Sequence, residues 1–98
     1  MIRTTTPYLK FNLKFEVAQI DELRVYFAQG HTVLFVKEKN DCTLEDKSIT
    51  VRLTQEETKE LQTYSSVDVQ LKVKIGNDAM ASKVYPLRVD RILKDEIL

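Results

Sequence analysis

The chain has 98 residues, of which 43% are apolar and 31% charged, with 15 basic residues balancing 15 acidic ones. That length leaves room for one domain, the composition is that of a folding chain rather than a disordered one, and the absent net charge removes the overall attraction on which most nucleic-acid binding depends. The only cysteine, Cys42, cannot form an internal disulfide, no apolar leader opens the chain, and the longest apolar run, Val33-Leu34-Phe35-Val36, falls far short of the roughly 18–20 residues that span a bilayer. A cytoplasmic protein that binds neither nucleic acid nor membrane is expected.

Side chains on a strand point alternately to its two faces, so a half-buried strand reads apolar, polar, apolar. Leu9, Phe11, Leu13 and Phe15 alternate with Lys10, Asn12, Lys14 and Glu16, which predicts a first strand over 9–16. Residues 17–22 break the alternation, and Val17 and Ile20 stand at helical spacing, as in a connecting turn whose apolar residues plug one end of a core. Leu23, Val25 and Phe27 resume the alternation, Gly30 can supply the positive φ of a hairpin turn, and Thr32 to Lys37 form the returning strand.

Cys42 to Leu44 allow a seventh, short strand before the polar turn Glu45-Asp46-Lys47-Ser48, and Ile49, Val51 and Leu53 mark a further strand. Thr54-Gln55-Glu56-Glu57 has the spacing of a capping box, in which the Thr hydroxyl and the Glu carboxylate satisfy orphan amides at a helix start, so one or two helical turns should run to Leu61. So short a helix suits a crossover between two sheets rather than a βαβ unit. Val67, Val69, Leu71, Val73 and Ile75 form the longest clean alternation, and Gly76-Asn77-Asp78 turns it into a last strand. There the apolar phase shifts from Met80 and Val84 to Leu87 and Val89, which calls for a bulge or a change of partner near Pro86. The sum is a single all-β domain over 1–98, an antiparallel two-sheet immunoglobulin-like sandwich of six to seven strands with one short helical turn.

No catalytic constellation is legible. His31 has no second histidine to complete a zinc shell or a triad, and Asp41 beside Cys42 opposes a thiolate. The paired acids Asp21-Glu22, Glu45-Asp46, Glu56-Glu57 and Asp95-Glu96 fall in turns, at a helix start or in the tail, where solvation and capping account for them. With Gly30 and Gly76 as the only glycines, no phosphate-cradling loop can form. A non-enzymatic protein without metal or cofactor is expected.

What remains are contact residues. Of the four tyrosines Tyr8, Tyr26, Tyr64 and Tyr85, Tyr26 is out of phase with its apolar neighbours, and with Tyr64 it is a candidate exposed aromatic that either packs cross-strand against long side chains or serves a protein interface or a sugar. The apolar pair Ile97 and Leu98 could dock on a partner.

The segments Tyr8-Leu-Lys-Phe-Asn-Leu-Lys-Phe15, Leu23-Arg-Val-Tyr-Phe-Ala-Gln29, Cys42-Thr-Leu-Glu-Asp-Lys-Ser-Ile-Thr-Val-Arg-Leu-Thr-Gln-Glu-Glu57 and Val67-Asp-Val-Gln-Leu-Lys-Val73, with Ala81-Ser82, come in an order that resembles the N-terminal sandwich domain of phage baseplate upper proteins and related small prophage proteins of Gram-positive bacteria. The resemblance covers nearly the whole chain and rests on fold-level features. It implies a phage structural protein, made in the bacterial cytoplasm and incorporated in the virion, that packs against copies of itself or against other baseplate or tail proteins. Two alternatives stand beside it: a carbohydrate-binding or adhesive sandwich, and a small cytoplasmic regulator that recruits a protein partner by strand addition at an open edge.

Overall fold

A computed structural model describes residues 1–63 and 65–98. Its strands are β1 (Tyr8–Asn12), β2 (Glu22–Gln29), β3 (Thr32–Glu38), β4 (Cys42–Glu45), β5 (Ser48–Arg52), β6 (Ser66–Ile75), β7 (Asp78–Ala81) and β8 (Tyr85–Arg88), with one helix, α1 (Gln55–Lys59), between β5 and β6. Every strand pairing is antiparallel. One sheet has the order β1-β5-β4; in the other, β3-β2-β6 is completed by β7 and β8, which both pair with β6. The two-sheet antiparallel sandwich read from the alternation is the architecture observed, with the last strand divided in two. No helix among the described residues is long and apolar enough to cross a membrane.

Alternation and turn chemistry account for most of the local structure. Val67, Val69, Leu71 and Val73 of β6 are buried on one face, each contributing about 1.5–3 kcal/mol if fully removed from water, and they meet Leu23, Val25 and Phe27 of β2 in register. The β2–β3 hairpin turns on Gly30 and His31, both at positive φ, the combination that matches the twist of paired strands. Thr54 caps α1 as its sequence predicts: its hydroxyl accepts from the Glu57 amide and the Glu57 carboxylate accepts from the Thr54 amide. Helix α1 then carries the chain from the smaller sheet to the larger.

Two expectations are refined. The first strand ends at Asn12, short of the alternation that continues to Glu16, because Leu13 donates its amide to the Lys47 carbonyl at the hairpin turn and the chain then leaves the sheet. Val17 to Gln19 form the predicted connecting turn as one turn of 3-10 helix, followed by the buried Ile20. The phase change in the last strand is a bulge and lies ahead of Pro86. Lys72 pairs with Ala81 and Val69 with Tyr85, so residues 82–84 stand opposite Gln70 and Leu71 alone. Both halves keep β6 as their partner, which leaves no room for the alternative of a change of strand.

Ser82 makes that bulge tolerable. Its amide donates to the Leu71 carbonyl at 2.8 Å, while its hydroxyl accepts the Leu71 amide at 3.0 Å in place of a backbone carbonyl. The Gln70 side chain donates to the Ser82 carbonyl at 2.9 Å. Beyond the bulge, Tyr85 and Leu87 stand over Val69 and Val67.

Candidate functional site

The two long sides of the sandwich differ. On one side, β3 passes directly into β4 through a 3-10 turn at Lys39–Asp41, so the chain itself joins the sheets. The Asp41 carboxylate accepts the Glu38 amide at 2.9 Å, the Cys42 thiol reaches the Glu38 carbonyl at 3.3 Å, and Lys37 points inward to meet the Glu57 carboxylate at 2.5 Å. Burial pushes the Cys42 thiol above its usual pKa, the Asp41 carboxylate adds to the rise, and Lys37 partly offsets it. A thiol so placed is a poor nucleophile.

On the other side, β1 of the small sheet faces β8 across a groove of about 520 Å³ that no segment of the described chain fills. Leu9, Phe11 and Leu13 line its β1 wall, Val69 and Leu71 its floor, and Tyr85 and Leu87 its far wall. The ring of Phe11 meets that of Tyr85 edge-on, with centroids 6.3 Å apart. Leu9, Phe11 and Leu13 remain only half-buried, unlike Val67, Val69, Leu71 and Val73 of β6.

Among the described residues, nothing pairs with the outer edge of β1. Leu53 donates its amide to the Pro7 carbonyl at 3.0 Å and Leu13 donates to Lys47 at 2.7 Å, so the odd-numbered residues of β1 exchange hydrogen bonds with β5. In an antiparallel ladder the intervening residues then turn their backbone groups the other way, and for Tyr8, Lys10 and Asn12 that direction is the groove. The other edges are blunted by recognised devices. β3 is bulged at Leu34, opposite Phe27 and Ala28, and carries the inward-pointing Lys37; β4 is four residues long; the β7–β8 edge is broken at Ser82 and bears Pro86. β1 is short as well and follows Pro7, but within the strand its one charge is that of Lys10.

The rim is positive and aromatic. Tyr8 is 68% exposed with the Arg52 guanidinium 6.0 Å above its ring, and the Lys83 ammonium lies 5.2 Å from the ring of the exposed Tyr85. Lys10 lines the groove, and no carboxylate does so among the described residues.

Of the residues singled out from sequence, those the structure describes lie elsewhere. Tyr26 is half-buried on the outer face of the large sheet, between Val36 and Gln70. Tyr64 lies outside the described residues. Ile97 and the exposed Leu98 belong to a tail held near α1, where the Gln55 side chain pairs with both backbone groups of Leu98 and Asp95 bonds Arg3 and Thr4. The structure does not bring Tyr26 together with Ile97 and Leu98. His31 is an exposed turn residue, and no cluster of three or more metal-ligating side chains occurs among the described residues. The groove residues had a signal in the sequence: the first strand is as apolar on one face as β6, yet it follows a proline, a residue that sheets confine to edges and strand starts. Comparisons with family models, curated proteins and solved structures find no match.

Proposed function

We propose that this chain is a non-enzymatic assembly module that works by protein–protein contact at the β1–β8 groove, as a structural component of a phage baseplate or tail. The observation that carries the contact reading is the free edge of β1 lying against an unfilled apolar groove. Exposed apolar surface flanked by aromatic and cationic side chains is what docking sites consist of, and an edge strand supplies backbone groups to orient the partner. The phage setting is supported by the resemblance of the segment order to baseplate upper proteins.

The test is made on particles. Phage is produced in cells that carry the full chain with a photo-reactive benzoylphenylalanine in place of Tyr8, and purified particles are irradiated and analysed by mass spectrometry. A fixed ratio of this chain to the tail proteins, with a covalent adduct between position 8 and a particle protein, is the expected outcome. Absence from intact particles overturns the phage setting, and presence in particles without an adduct overturns the groove as the contact.

A further inference from the structure

We infer that the groove takes up an extended strand from a partner protein, apolar at alternate positions and acidic at those between, which pairs with β1 and widens the small sheet by one strand. This deepens the assembly reading and rests on it. A strand added beside β1 would bond to the outward backbone groups of Tyr8, Lys10 and Asn12, and its inward side chains would lie against Phe11, Tyr85 and Leu87. Its outward side chains would stand beside Tyr8 and Lys10 on the face that also carries Arg52, the register partner of Tyr8.

Charge selects the occupant. Lys10 sits in the middle of the free edge, Arg52 and Lys83 stand over the two rim tyrosines, and no acid answers them within the lining. An acidic residue on the incoming strand opposite Lys10 makes a favourable cross-strand pair, whereas a basic one is repelled. The same reasoning disfavours a second copy of this chain. Two β1 strands paired antiparallel about their centres would set Lys10 directly opposite Lys10 of the other copy, a like-charge pair at the contact's midpoint. The length is also matched: β1 spans five residues, so a partner segment of ordinary strand length covers it.

The probe is a synthetic peptide of about seven residues alternating glutamate and valine, with a lysine–valine peptide as its counterpart. Each is titrated into the full chain while backbone amide resonances are followed. The expected result is saturable shifts confined to β1 and β8 with the glutamate peptide, slowed exchange at Tyr8, Lys10 and Asn12, and binding of the lysine peptide weaker by about fivefold or more. Lys10→Glu should reverse the preference. Lys10→Pro should abolish binding of both peptides, since it removes an amide that points away from β5; if that variant unfolds, Lys10→Glu still decides.

Equal binding of the two peptides overturns the acidic occupant. Absence of β1 shifts with either peptide overturns the added strand. Shifts on β1 that grow with protein concentration alone would make a second copy the occupant. If the peptides fail while position 8 still cross-links within particles, the added strand is wrong and the assembly reading survives; if both fail, both are wrong.

Discussion

The two long sides of this sandwich are built from similar strands and finished in opposite ways. Where β3 meets β4, the chain crosses between the sheets, a lysine is turned inward onto a carboxylate, and a thiol is shielded beneath the crossing. Where β1 meets β8, the inner residues are as apolar as any in the protein, yet the chain leaves them half covered and leaves one strand's backbone groups unanswered. A small domain with a finite supply of apolar surface gains stability by covering it. Phe35, Cys42 and Leu44 on the bridged side are also only partly buried, so what sets the β1–β8 side apart is the unfilled groove and the strand edge beside it.

The closed side should be the more sensitive. Glu57 serves twice there, neutralising the nearly buried Lys37 and accepting the Thr54 amide at the start of α1. Glu57→Ala leaves a cation without its partner and a helix without half its cap, and should cost about 2–3 kcal/mol in urea unfolding. The double variant Lys37→Met with Glu57→Gln keeps a capping group and removes the charge altogether, so it should fall within about 1 kcal/mol of the parent. A loss below about 0.5 kcal/mol for Glu57→Ala would erase the contrast between the two sides.

An intermediate effect is expected at the floor of the groove. Ser82→Ala removes the hydroxyl that accepts the Leu71 amide, in a strand whose neighbouring side chains are buried. It should cost about 1–2 kcal/mol and loosen β8, seen as faster amide exchange at Tyr85 and Leu87. Were β8 to keep its protection, the remaining bonds of the bulge would hold it and the far wall of the groove would not depend on the Ser82 hydroxyl.

The sequence discloses the strands far better than the groove, for a physical reason. Alternation reports which face of a strand is apolar, and it located β2, β5 and β6, together with the Thr54 cap, because each depends on residues near one another in the chain. Whether an apolar face is covered depends on what stands across from it. Leu9, Phe11 and Leu13 read like Val67, Val69 and Leu71, but only the second set lies on a strand flanked on both sides. The last strand carried a partial signal: its phase change announced a bulge, though not that a serine hydroxyl would stand in for the missing carbonyl. Lys37 ends the apolar run Val33–Val36 and opens the charged stretch Lys37-Glu38-Lys39, where a lysine would be expected to face solvent, and only the arrival of Glu57 from α1 explains its inward position.

The smallest expected effect bears most directly on the open side. Tyr8 is largely exposed, and its one described interaction is the contact with Arg52, which at an exposed site is worth about 0.5 kcal/mol. Tyr8→Ser should therefore change stability by no more than about 0.5–1 kcal/mol. In the unmodified protein the amides of Tyr8, Lys10 and Asn12 should exchange freely while those of Leu9 and Phe11 are protected, since only the odd positions bond to β5. A large loss on Tyr8→Ser, or protection at all five positions, would mean that this edge is already engaged in holding the fold together. A small loss with alternating protection would mean that the aromatic and the strand edge beside it contribute little to the isolated domain, and that their chemistry is free for a partner.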